Sequence, residues 1–208
     1  MSPAPKPIWT ASKKIIGNVV PLALASPFLV LGLKHFFQFG YSLKAGLWLA
    51  AFPVVGWLAT AVFGLPGNRG MKDEMSRRWH LEHAFDPTPK VFIGFARPSF
   101  KGLLDAHEDV GFLVLHADRL EFFGSQLQYE LQKKDVREIR FRANPHTWLG
   151  LGRFVAVEGE VEGKPVRMLC EPREASTLIG NFRRSRPLKE QLFAWWKTAD
   201  EAEPVAES

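Results

Sequence analysis

Residues 111–124 read GFLVLHADRLEFFG. The apolar run 111–116 and the alternating run 119–123 are each of strand length, and Ala117-Asp118 between them is a candidate two-residue turn. Together they predict an antiparallel hairpin. The same rhythm extends outward. Short β runs are expected at 91–96, 126–131, 136–142, 153–161 and 164–171, with Gly124-Ser125 and Glu162-Gly163 as further turn pairs. Val155, Val157 and Val161 share one face while Glu158, Glu160 and Glu162 share the other; Val166, Met168 and Cys170 alternate with Arg167, Leu169 and Glu171. Pro165 has no N–H to give a ladder, so it belongs at the start or edge of its strand. Residues 173–197 return to helical spacing, with Leu178, Phe182, Leu188, Leu192 and Trp195 or Trp196 as a buried stripe broken at Pro187. The acidic end, 198–208, is expected to be disordered.

Upstream the character changes. Residues 15–33 (IIGNVVPLALASPFLVLGL) and 45–65 (AGLWLAAFPVVGWLATAVFGL) carry no charge. At about 1.5 Å of rise per residue, about 20 helical residues cross a hydrocarbon core of about 30 Å. Pro21, Pro27 and Pro53 are tolerated in such spans as kinks. The two runs predict a transmembrane helical hairpin over 15–66, with 34–44 (KHFFQFGYSLK) as a turn whose aromatics suit the headgroup layer. Two other readings stand beside it: a buried core helix for each run, and a secretory signal cleaved within 23–26, after Ala23-Leu24-Ala25. The apolar run continues past that point to Leu33. A hairpin puts both chain ends on one side. That side carries Lys6, Lys13, Lys14, Arg69, Lys72, Arg77 and Arg78 against Lys34 and Lys44 in the turn, which favours cytoplasmic ends, including the segment 1–14.

Charge and cysteine content narrow the function classes. The net charge of +5 lies wholly in residues 1–66, which hold five lysines and no acid; residues 67–208 are balanced. A nucleic-acid protein would carry its excess on the folded domain, so no nucleic-acid partner is expected. Cys170 is the single cysteine, which excludes an intramolecular disulfide framework and a multi-cysteine zinc site, and fits a reducing compartment. The connector 67–89 contains a stretch, 71–85, in which Met71, Met75, Trp79 and Ala84 or Phe85 fall at helical spacing. Such a helix either lies on the membrane surface or packs on the soluble domain. Asp86-Pro87-Thr88-Pro89 ends it.

The order of motifs carries a resemblance. A strand (Gly111-Phe112-Leu113-Val114-Leu115-His116) is followed by a tight turn and an R-L-x-F strand within Asp118-Arg119-Leu120-Glu121-Phe122-Phe123-Gly124. Leu131 then leads to Val136-Arg137-Glu138-Ile139. Over residues 90–197 this resembles the pleckstrin-homology-like barrel in its bacterial and GRAM-type variants. The resemblance implies an α+β chain, with a seven-stranded barrel or sandwich capped by a C-terminal helix behind the hairpin. It also implies a membrane-associated binding or scaffolding module at the bacterial inner membrane, not an enzyme. The segment 97–110 is long for the family and holds no lysine cluster of the phosphoinositide-binding kind.

Candidate binding residues are the arginines Arg183, Arg184 and Arg186, and Trp148 and Leu149 in the loop NPHTWLGLG (144–152). The arginines suit anionic headgroups, and the apolar tip suits a partner or membrane contact unless it folds over the open end of the barrel. Arg137, Arg140 and Arg142 are expected to pair with carboxylates of the domain. His80 and His83, with His107 and Glu108, form a conceivable zinc set, although the spacing is not that of a metalloprotease helix. Asp105 or Asp109 is better read as turn chemistry before the second strand. No G-x-S-x-G, phosphate-cradling glycine loop or Cys/His signature is present. The reading is therefore a membrane-anchored module without cofactor, whose partners are the bilayer and a peptide, a membrane protein or anionic lipid headgroups. Two rivals are a metal-dependent hydrolase built on the four candidate ligands, and an accessory subunit whose helices pack on partners through Gly46, Ala50, Ala51 and Gly56.

Overall fold

A computed structural model describes residues 6–64, 67–83, 87–100 and 106–198. Among them are α1 (Ala11–Phe39), α2 (Leu43–Phe63), α3 (Asn68–Glu82), β1 (Lys90–Ala96), β2 (Asp109–Leu115), β3 (Arg119–Gly124), β4 (Gln128–Gln132), β5 (Val136–Arg142), β6 (Phe154–Val161), β7 (Lys164–Pro172) and α4 (Leu178–Lys197). Ala84, Phe85, Asp86, Asp105 and residues 199–208, for which the sequence carried expectations, lie outside the described residues.

The helical hairpin is longer and its turn tighter than the uncharged runs imply. No Gly or Pro lies between Gly32 and Gly40, so α1 continues through Lys34 to Phe39 and stops where Gly40 adopts φ +71°. Ser42 starts α2, its hydroxyl accepting from the Ala45 N–H at 3.3 Å. Pro21, Pro27 and Pro53 sit inside the helices. Small residues form the seam: Gly17, Pro21, Ala25 and Gly32 of α1 are buried, as are Ala45 and Ala59 of α2. A Cβ on Gly32 would meet the Leu49 backbone N at 3.0 Å, and one on Gly56 would meet the Ala25 Cβ at 3.5 Å. This is close packing of the kind that small residues permit. The outer faces stay uncovered. α1 and the helical stretch beginning at Leu43 are long and apolar enough to cross a membrane, and their most apolar windows are only 22% and 11% buried. A core helix of a soluble domain would be mostly covered.

The seven strands form an antiparallel sheet in the order β4-β3-β2-β1-β7-β6-β5. Two of the three expected turns fall where the sequence puts them, whereas Gly124 belongs to β3 and the β3–β4 turn is made by Ser125, Gln126 and Leu127. His116 N bonds Arg119 O at 3.0 Å across Ala117-Asp118. Glu162 and Gly163 take φ of +51° and +75°, the paired positive angles of a tight β6–β7 hairpin. Some strand limits move. β2 begins at Asp109 and β4 runs from Gln128 to Gln132, because Asp109 and the Ser125–Leu127 segment are drawn into one hydrogen-bonded turn described below.

One face of all seven strands closes on a common core. Ile93, Phe95, Leu113, Leu120, Phe122, Leu131, Val136, Ile139, Val155, Val157, Met168 and Cys170 meet there, and Leu188 and Leu192 of α4 cap it. Burial pushes the Cys170 thiol up to about 12. The folded protein is therefore expected to leave this thiol unmodified by maleimide at neutral pH, while denaturant exposes it to full labelling, as mass spectrometry would read. α4 runs without a break through Pro187, contrary to the expected interruption. Its ends are held by the Thr177 hydroxyl, which accepts from Gly180 N–H at 3.1 Å, and by the buried stripe on its core side.

The opposite face of β1–β3 is covered too. Met71, Met75 and Trp79 of α3 pack with Ile8 and Trp9 over Phe92, Val110, Phe112, Val114 and Phe123. Two-sided burial is why β2 reads as an apolar run and not as an alternation. It also decides between the two readings of the connector: the apolar stripe of α3 faces the domain. Arg173 locks this layer. It is buried, its guanidinium lies 4.1 Å over the Trp9 ring, and its Nε donates to Asn68 Oδ1 at 3.0 Å. Asn68 in turn donates to the carbonyls of Arg173 and Ala175. The hairpin rests on the domain directly, since Ala61 packs with Leu151 and Leu178, and Trp57 Nε1 donates to Leu149 O at 2.8 Å.

Candidate functional site

β5 ends one edge of the sheet and pairs only with β6 among the described residues. An edge strand presents backbone donors and acceptors with no strand beside them. α4 packs against the same end of the sheet, and a groove of about 680 Å³ opens between them. Phe141 from β5, Arg153 from the residue before β6, and Arg186, Lys189, Glu190 and Phe193 from α4 line it. The α4 residues fall at i, i+3, i+4 and i+7, so one helix face delivers all four.

The groove is aromatic and basic. The Arg153 guanidinium lies 3.8 Å from the centre of the Phe141 ring and 4.8 Å from that of Phe182. Lys189 Nζ stands 4.8 Å from the Phe141 ring on its own approach. Arg186 pairs with Glu190 at 2.9 Å, the one carboxylate among the lining residues. Arg153 and Lys189 have no acidic partner there among the described residues. Burial, with Arg186 as a second cation nearby, lowers the Arg153 pKa from its ordinary value. The guanidinium remains charged at neutral pH. Its Nε is buried and lacks a hydrogen-bond acceptor among the described residues. A partly desolvated cation with an unused donor, close to two phenyl rings, is suited to a carboxylate brought by a ligand.

The residues singled out from sequence are distributed differently. Arg183, Arg184 and Arg186 are all exposed, but they do not act as one cluster. Arg186 enters the groove, whereas Arg184 lines a separate cleft with Lys72, Lys90 and Glu174. Consecutive helix positions turn about 100°, which separates them. Of the strand arginines, Arg140 and Arg142 pair with Glu158 at 2.7 and 2.9 Å as expected, and Arg167 joins them at 2.9 Å, whereas Arg137 is exposed and makes no ion pair among the described residues. Trp148 is 92% exposed and Leu149 47%, so the loop tip does not fold over the barrel; only Leu151 turns inward.

The four candidate zinc ligands do not converge. His80 is exposed on α3, while His83 stacks on Trp79 with ring centres 3.9 Å apart. His107 is buried and its Nε2 meets Glu171 Oε2 at 2.8 Å. Glu108 pairs with Arg97, whose hydrogen bond holds the Glu108 carboxyl below its ordinary pKa. Among the described residues no three His, Cys, Asp or Glu side chains are placed to share a metal ion. Asp109 does serve as turn chemistry, for the β3–β4 turn. The small residues proposed for partner helices divide as well: Gly56 packs inside the hairpin on Ala25, Ala50 is exposed, and a Cβ at Gly46 would meet nothing within 4 Å among the described residues.

Sequence reasoning passed over Phe141, Arg153, Lys189 and Phe193. One signal was present: Lys189 and Phe193 lie four apart on one flank of the buried stripe of α4, and Phe193 is a large exposed aromatic there. Comparison with protein-family models returns no match to the chain, and neither does comparison with curated proteins.

Proposed function

We propose that this chain is a membrane-anchored binding module, in which a pleckstrin-homology-like domain is held at the cytoplasmic face of a bacterial inner membrane by the α1–α2 hairpin. Its β5–α4 groove takes an extended acidic segment of a membrane-held protein. The strand order and the capping α4 agree with the fold implied by the sequence motifs. The uncovered apolar faces of α1 and α2 support the anchor. The observation that carries the ligand class is Arg153: a half-buried cation close to two phenyl rings and without an acidic partner among the described residues, beside an edge strand that an incoming strand can extend. Tethering raises the effective concentration of the domain toward partners in the same bilayer, so a weak groove contact is sufficient.

The test uses the full chain in nanodiscs and two sets of short fluorescent peptides, one rich in Asp and Glu and the other carrying the Asn and Gln counterparts. The acidic set is expected to bind, with Lys189→Glu weakening it about tenfold by reversing a groove charge. Equal binding of both sets, or no effect of Lys189→Glu, overturns the reading. A preference for anionic vesicles over every peptide would assign the same charges to lipid headgroups and likewise overturn the peptide assignment.

A further inference from the structure

The loop at 143–152 is placed beside the hairpin, not beneath it. Trp57 lies six residues before the end of α2, about 9 Å along its axis. Its Nε1 donates to the carbonyl of Leu149 at 2.8 Å, so the loop reaches that height. Ala25 packs on Gly56, which puts Trp57 level with Leu24 of α1. Leu24 is nine residues, about 14 Å, beyond Ile15. Ile15, Ile16 and Val19 are exposed. A lipid layer deep enough to cover them also reaches the Trp57–Leu149 hydrogen bond.

The loop has the composition such a position demands. No Asp, Glu, Lys or Arg occurs between Arg142 and Arg153. At its tip Trp148 and Leu149 point away from the protein. Several of its backbone groups are bonded within the loop. Thr147 N bonds Asn144 O, Leu149 N and Leu151 N both bond His146 O, and Gly150 N bonds Thr147 O, at 3.0–3.1 Å. The Thr147 hydroxyl accepts from Asn144 N and donates to Gly152 O, each at 2.8 Å. Irregular backbone is costly at membrane depth unless its polar groups are satisfied. A tryptophan at the tip is the side chain that the interface favours.

From these observations we infer that the 143–152 loop inserts its Trp148–Leu149 tip into the bilayer interface, as a third membrane contact beside the two helices. This rests on the anchoring part of the proposed function. It explains why a domain on a two-helix stalk has a fixed orientation: Trp57 bolts the loop to α2, and the inserted tip sets which side of the domain faces lipid. The β5–α4 groove adjoins this loop through β5 and Arg153, so insertion holds the groove close to the membrane surface.

Depth quenching tests it. Trp148→Cys, Leu47→Cys on the exposed face of α2, and Gln128→Cys on exposed β4 are each labelled with NBD-maleimide in the full chain; Cys170 is buried and stays silent. The proteins are reconstituted into phosphatidylcholine–phosphatidylglycerol vesicles, with doxyl lipids or aqueous iodide as quenchers. The label at 148 is expected to be quenched by doxyl lipid about twofold or more above the label at 128, and to be shielded from iodide. If 148 behaves like 128 while 47 is lipid-quenched, the loop inference is overturned and the anchor stands. If 47 is also reached by iodide and not by doxyl lipid, the anchor falls and the inference with it.

Discussion

Asp109→Ala is expected to destabilise the domain by about 3–5 kcal/mol, enough to lower its thermal midpoint sharply or prevent folding. The carboxylate is buried at the start of β2 and organises the β3–β4 turn from outside it. Oδ1 accepts from the Ser125 hydroxyl at 2.5 Å and from Val110 N at 2.8 Å; Oδ2 accepts from Gln126 N at 2.7 Å and Leu127 N at 2.9 Å. Each bond to a charged acceptor contributes about 1.5–3 kcal/mol before the non-additivity of neighbours is counted. Alanine would remove the acceptor of four donors at once, of which the bonds from Val110 N and the Ser125 hydroxyl are buried. Thermal unfolding of the detergent-solubilised chain, read by circular dichroism, measures the loss. Ser125→Ala removes a single bond and is expected to cost about 1 kcal/mol. Equal melting of Asp109→Ala and wild type would refute this account of the turn.

Trp79→Ala is expected to cost about 3–5 kcal/mol and to release α3 and the N-terminal segment together. The Trp79 ring is fully buried, meets Phe123 edge-on at 5.2 Å and stacks on His83, within the layer that also holds Ile8 and Trp9. The main core under α4 does not contain it. The loss is therefore local in origin. Trypsin should cut at Arg77 and Arg78 while fragments of the β domain persist, whereas α3 resists cleavage in the wild type. Simultaneous degradation of α3 and the sheet would mean that the two layers fold as one unit, against this picture.

These two residues also mark how far pattern reading extends. Trp79 was visible as one of a helical set with Met71 and Met75, yet spacing alone left that set facing either lipid or protein. Apolar periodicity states that a face must leave water; it does not name what covers it. Asp109 was visible as a turn former, but it serves a turn 16 residues downstream, because β2 and β3 bring its carboxylate against Ser125. The same limit explains the candidate sites. His107 looked available for a metal until β7 set Glu171 against it, 64 residues away in sequence. The arginine trio looked like one patch until the pitch of α4 turned Arg184 from Arg186.

Local chemistry, then, was sufficient for the uncharged spans, the Ala117-Asp118 and Glu162-Gly163 turns, most strands and the C-terminal helix, because each is governed by residues within one period of one another. The groove, the two-sided burial of β1–β3 and the height of the Trp148 loop depend on folding, because each joins segments tens of residues apart. Arg153 carries no signature in the chain; only folding brings Phe141 and Phe182 to it and leaves its Nε without an acceptor among the described residues.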